Sequence, residues 1–148
     1  MSDIKLLGQE DGRQAIRIVR SRAAEWGINP DRIGIMGFSA GGMVTMGAAL
    51  QHDADSRPDF TGAIYTPLSF ESVPEDAAPM FVLVAGDDNL AAQSSVQIYS
   101  KWKSAGKPAE LHVYSKGGHG FGMIKRGLPV DNWIDRMWDW MVAEGLVW

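Results

Sequence analysis

The sequence predicts an α/β fold of about four mostly parallel strands with helices on both faces. Three observations carry this. Short apolar runs alternate with helical patterns along the whole chain, the mark of successive βα units. The run Met80 to Ala85 is apolar at every position, as a strand covered on both faces must be. A length of 148 residues with 45% apolar and 22% charged positions suits one domain, here residues 1–148, with its own core.

The elements follow in order. Asp11 to Trp26 is predicted as a helix, with Ile16, Val19, Ala23 and Trp26 on one face and Arg13, Arg17, Arg20 and Glu25 elsewhere. Gly27 suits its C-cap, and Asn29-Pro30-Asp31 a turn. Arg32 to Met36 reads as a short strand and Gly41 to Gln51 as a helix of small residues. Thr61 to Tyr65 is the second strand, Met80 to Ala85 the third and Ala109 to Tyr114 the fourth. Ala91 to Ala105 is a helix ended by Gly106. Val130 to Glu144 is the last helix, with Ile134, Met137, Trp138, Met141 and Val142 as its core stripe and Trp133 and Trp140 off it. An exposed Trp148 at the terminus would be unusual.

Composition removes several function classes. With no cysteine there is no disulfide framework, no Cys-ligated zinc and no cysteine nucleophile. A net charge of −4 without a basic run argues against a nucleic-acid binder. No apolar stretch approaches the roughly 18–20 residues of a membrane span. The first residues contain no signal-peptide core, so the expected location is cytoplasmic.

Gly37-Phe38-Ser39-Ala40-Gly41 matches G-x-S-x-G directly after a predicted strand and before a helix. That setting suits a nucleophile elbow, a strained turn that raises a serine hydroxyl above the sheet. The Ala40 N–H would sit at a helix N-terminus and donate to a developing oxyanion. The plainer alternative is a tight turn with Ser39 as helix N-cap. A serine needs a base. Among His52, His112 and His119, the last lies in the Gly-rich loop Lys116 to Gly122, at the carboxyl end of the fourth strand, where α/β sites gather. Gly86-Asp87-Asp88-Asn89 ends the third strand in the same way, and these residues alone do not separate Asp87 from Asp88 as the acid partner.

These pieces together resemble the α/β-hydrolase superfamily, in its acetyl-xylan-esterase-like and feruloyl-esterase-like branch. The resemblance rests on Asp31-Arg32-Ile33 leading to Gly37-Phe38-Ser39-Ala40-Gly41-Gly42, on Gly86-Asp87-Asp88, on Leu111-His112-Val113-Tyr114 running to Gly118-His119-Gly120-Phe121-Gly122, and on Asp131 to Arg136. It implies Ser39 as nucleophile, His119 as base and, because the second acid of such a turn usually serves, Asp88 as the third member. It covers only the C-terminal half of that fold. The N-terminal strands and a His-Gly-Gly-Gly oxyanion loop have no counterpart, so Ala40 is the only assured oxyanion donor. The dienelactone-hydrolase mechanism in its usual form uses cysteine and is excluded.

The expected function is hydrolysis of short-chain acyl esters through an acyl-enzyme, with no cofactor and no metal. Phe38, Leu90, Phe121 and Met123 flank the site and are candidates to line an acyl pocket, with plain packing as the equal alternative. Asp53, Asp55 and Asp59 near His52 read as a solvated polar loop. The strand Arg32–Met36 becomes an open edge, which predicts a homo-oligomer, most simply a two-fold dimer extending the sheet. The alternative function is a weak or inactive shortened hydrolase serving as an oligomerising or binding domain.

Overall fold

A computed structural model describes residues 2–147; Trp148 lies outside the described residues. Helix α1 spans Ser2–Ser21, and a single turn α2 spans Ala23–Trp26. Strand β1 is Gly34–Phe38, helix α3 Ala40–Leu50, strand β2 Phe60–Ile64 and strand β3 Met80–Ala85. Helix α4 is Ala92–Ser104, strand β4 Ala109–Tyr114, and a 3-10 turn at Pro129–Asn132 leads into helix α5, Trp133–Ala143. The four strands form one sheet in the order β1-β2-β3-β4, every pair parallel. Their carboxyl ends therefore share one side, where the loops carrying Ser39, Asp88 and His119 emerge.

Helices cover both faces. On one face Met46 and Ala49 of α3 and Ile98 and Trp102 of α4 close over Ala63, Met80 and Val82. The Trp102 indole N–H reaches the Ala78 carbonyl at 2.9 Å, so its polar atom is satisfied inside this core. On the other face Trp133, Met137 and Trp140 of α5 pack with Ile64, Phe81 and Leu83. Alternation along β3 sends Val82 to one face and Phe81 and Leu83 to the other, as the strand period of two requires. Helix α1 lies across α3, where the missing side chain of Gly12 admits Val44: a Cβ there would stand 2.7 Å from the valine.

Four expectations need correction. The first strand begins two residues later than Arg32. Ile33 is spent on the approach, its N–H donating to the Asp59 carboxylate at 2.9 Å and its carbonyl accepting the Asp59 N–H at 2.8 Å. The ladder then opens with Gly34 opposite Phe60. The first helix starts nearer the N-terminus, and Trp26 is 47% exposed although Ile16 and Ala23 of the same predicted face are buried. Gly27 does end it in the left-handed conformation, φ 66°.

The stripe that buries α5 is shifted from the expected one: Met137 and Met141 lie on the core as expected, but Ile134, Trp138 and Val142 do not. Trp133 and Trp140, 1% and 2% exposed, face the sheet with Met137, while Trp138 is 54% exposed and Ile134 and Val142 also face outward. The spacing 133, 137, 140 is as good a helical stripe as the alternative, and burying two indoles removes more apolar area from water. The acidic loop is also bridged rather than merely solvated: Arg17 holds Asp53 at 2.7 Å and Arg20 holds Asp59 at 2.8 Å.

Candidate active site

Ser39 is the single residue between β1 and α3. Its backbone is strained, with φ 52° and ψ −113°, in a region a side chain rarely adopts. Strand pairing holds one side of the turn, through the Ser39 N–H bond to the Ile64 carbonyl at 3.0 Å. Glycine permits the other side: a Cβ on Gly37 would lie 2.1 Å from the Gly41 carbonyl oxygen. Gly42 is equally constrained, with Thr66 Oγ1 2.0 Å from its notional Cβ, whereas a Cβ on Gly41 would meet nothing within 4 Å. The motif's second glycine is thus not the one that sterics demand.

The N-cap reading of Ser39 fails, since its side chain makes no capping bond to α3. The hydroxyl instead lies 2.8 Å from His119 Nε2. The opposite ring nitrogen, Nδ1, lies 2.7 Å from Asp88 Oδ2. A carboxylate only accepts, so Nδ1 carries the proton and Nε2 is left to accept from the serine. Asp88 is 2% exposed, and its other oxygen accepts the Leu90 and Ala91 N–H groups at 2.9 and 3.0 Å. These bonds fix the carboxylate at the entrance to α4.

The neighbouring acid points elsewhere: Asp87 Oδ1 accepts the Gly118 N–H at 2.8 Å. The structure thereby separates two residues that their shared strand-end position leaves equivalent. His112 pairs with Glu110 at 2.7 Å, and His52 sits between the Ala48 carbonyl and Asp76; neither joins Ser39. Ala40 is exposed as the first residue of α3, where a helix leaves its N–H groups without intrahelical partners.

Of the expected pocket residues, Leu90 stands exposed beside Asp88, and Met123 is exposed too. Phe38 is half-buried and packs on Tyr65 and Trp133, with ring centroids 5.8 and 5.9 Å apart. Phe121 is a correction: at 2% exposed it supports the loop from below and offers almost no open wall. Among the described residues no group of three or more His, Asp or Glu converges as a metal site.

Tyr65 escaped the sequence reading. It is buried with φ 34°, a second strained residue at the end of β2. Its ring meets the His119 ring edge-on at 5.0 Å and Phe121 at 4.7 Å. Burial pushes its phenol pKa up; the Gly122 N–H opposes this and the Asp88 charge adds to it. Trp133 completes the support, its indole N–H donating to the Gly122 carbonyl at 2.8 Å. An aromatic at a strand end looks like core in a sequence, and only its position under His119 distinguishes it.

The parallel sheet, the strained serine turn and the loops at its carboxyl end define an α/β-hydrolase fold. The chain belongs to the dienelactone hydrolase family, whose sequence pattern it matches over residues 5–142. An acetylxylan esterase of Xylanibacter ruminicola is 41% identical over 61 residues, covering 41% of this chain and 13% of that one. An alpha/beta hydrolase enzyme from a Medee basin deep-sea metagenome library superposes with TM-score 0.82 at 26% identity, over 91% of this chain and 63% of that one. The acetyl ester-xyloside bifunctional hydrolase of Caldicellulosiruptor lactoaceticus (TM-score 0.78, 24% identity, 95% and 66% covered) shares the fold. So does esterase 2 of Thermogutta terrifontis, solved with propionate bound (TM-score 0.79, 21% identity, 94% and 65% covered). The chain thus spans less than two thirds of the length of these solved relatives.

Proposed function

We propose that this chain hydrolyses short-chain carboxylic esters through a serine acyl-enzyme, with Ser39, His119 and Asp88 as a catalytic triad. The observation that carries the reading is the unbroken chain of hydrogen bonds from Ser39 Oγ through both His119 nitrogens to a buried carboxylate. The family and the acetylxylan esterase relative support ester hydrolysis as the reaction class.

In this mechanism Ser39 Oγ attacks the ester carbonyl carbon while its proton passes to His119 Nε2. Asp88 Oδ2 holds Nδ1–H and stabilises the imidazolium that forms. The Ala40 N–H donates to the tetrahedral oxyanion. Collapse breaks the bond to the alkoxy oxygen, which leaves as the alcohol with the proton from Nε2. Water then gives a proton to Nε2, attacks the acyl carbon and releases the carboxylic acid, and Ser39 recovers its hydrogen. A cysteine is not needed, because a base lies within hydrogen-bond distance of the serine.

The exposed setting of His119 and Leu90 favours small acyl groups over long lipid chains. Removing one donor from an oxyanion site costs about 10²–10³ in rate, so the Ala40 N–H carries a large part of the proposed chemistry. Turnover of p-nitrophenyl acetate by the protein and by Ser39→Ala tests the reading. Turnover lost in the variant supports it; equal turnover in both defeats it.

The free edge of β1 favours a second property. Gly34–Phe38 pairs on one side only, carries no charge or proline to block an incoming strand, and leaves Met36 exposed. Antiparallel pairing of two β1 strands would extend the sheet in a two-fold dimer. Light scattering at micromolar concentration checks this: a dimer mass supports it, and a stable monomer removes it.

A further inference from the structure

We propose that Asp87 is a positioning residue that holds the backbone of the His119 loop, while Asp88 holds the imidazole itself. The proposal rests on the triad reading above.

The two consecutive acids leave the same strand end but take different partners. Asp88 performs the local work of the turn, binding the Leu90 and Ala91 N–H groups. Asp87 does none of it. Its carboxylate crosses 31 residues of sequence to accept the N–H of Gly118, the residue immediately before His119. Lys116 Nζ, 4.0 Å from the other Asp87 oxygen and largely exposed, adds a weak surface charge to the same tie.

The loop needs such a tie. His119 lies between Gly118 and Gly120, with φ 67° and 78°, the two residues least able to limit their own backbone. Its side chain is 30% exposed, so burial does not fix it. Contacts exist on the other flank, where the Tyr65 ring abuts His119 and Trp133 holds the Gly122 carbonyl. On the near flank Gly117 packs against Ala85, and the Asp87–Gly118 bond then sets the direction in which the chain enters His119. The anchor is itself rigid: Gly86 N–H bonds to the Tyr114 carbonyl at 2.6 Å, and Asp88 N–H to the Ala85 carbonyl at 3.1 Å. A base displaced by even an ångström loses the serine proton, so this tie acts on rate through His119 rather than on substrate binding.

The test compares Asp87→Ala, Asp87→Ser and Asp87→Asn in the full chain. Asparagine keeps an oxygen acceptor at the same reach. Serine keeps the turn-forming chemistry but is too short to bridge, so it decides the matter should the alanine variant fail to fold. In p-nitrophenyl acetate turnover, alanine and serine lower kcat about tenfold with KM nearly unchanged, and asparagine restores kcat to within about threefold. Two NMR measurements read the geometry without requiring activity: the downfield Nδ1 proton of His119 and the exchange rate of the Gly118 amide. Alanine and serine broaden the first and accelerate the second, while asparagine preserves both. Wild-type kcat with a sharp His119 proton in the alanine or serine variant overturns the proposal, as does an asparagine variant as impaired as the others. If the unmodified chain hydrolyses no ester, the functional reading fails, and the two NMR signals still decide the positioning role.

Discussion

Ser39 Oγ and His119 Nε2 lie 2.8 Å apart although 80 residues separate them in sequence. One comes from the strained turn after β1 and the other from the loop after β4, at opposite edges of the sheet. The parallel arrangement makes the meeting possible, since every strand delivers its following loop to the same side. Asp88, from the end of β3, completes the line.

Asp88→Asn should separate chemistry from folding. The amide oxygen can still accept the Leu90 and Ala91 N–H groups, so melting temperature should fall little. The imidazole tautomer is lost, and kcat should drop by about 10³–10⁴. Asp88→Ala removes the bonds at the start of α4 as well and should destabilise by about 1–2 kcal/mol. Paired kinetics and thermal melts check both; an asparagine variant with near-normal kcat would contradict the assigned role.

The glycines of the serine turn should not be equivalent. Gly37→Ala drives a methyl into the Gly41 carbonyl and should abolish activity or folding. Gly41→Ala meets open space and should fold as stably as the parent to within about 0.5 kcal/mol. Circular dichroism melts of the two variants decide this, and equal damage from both would refute the steric account.

On α5, Trp133→Ala should cost about 3–5 kcal/mol, because it empties a fully buried site and breaks the bond to Gly122. Trp138→Ala, on the outward face, should change the stability of the monomer by no more than about 0.5 kcal/mol. Denaturant unfolding measures both. The reverse ranking would mean that the helix is rotated.

Asp131 gives a pH signature. Partial burial raises its pKa, but the N–H groups of Arg126, Leu128 and Gly127 and the charge of Lys125 outweigh it and hold the carboxyl below the usual range. A folded pKa below the unfolded one stabilises the fold above the unfolded value of about 3.9, and that contribution disappears as pH falls through the folded value. Melting temperature should therefore drop more steeply on acidification in the parent than in Asp131→Asn. Superimposable curves would show that the turn carries no such linkage.

Much of this was legible in the sequence, for identifiable reasons. Met80–Ala85 and Ala109–Tyr114 have the expected bounds because turn residues flank each run. Ser39 and His119 were readable because each follows a strand end, whereas Asp87 and Asp88 share that position and only the bond from Asp88 to His119 tells them apart. The face of α5 was not readable, since apolar residues occupy two competing stripes and only the sheet's shape selects the tryptophans. The start of β1 was hidden by Ile33, an apolar residue that bonds to Asp59 outside the ladder. Tyr65 was invisible because positive φ in a tyrosine has no sequence signature.

The most direct test of the central claim is covalent labelling of the folded chain with a fluorophosphonate, followed by peptide mass spectrometry. An activated Ser39 predicts one adduct, on the peptide containing residue 39, absent from Ser39→Ala and strongly slowed in a His119→Ala variant. No adduct on a folded sample, or an adduct that persists in Ser39→Ala, would contradict the account.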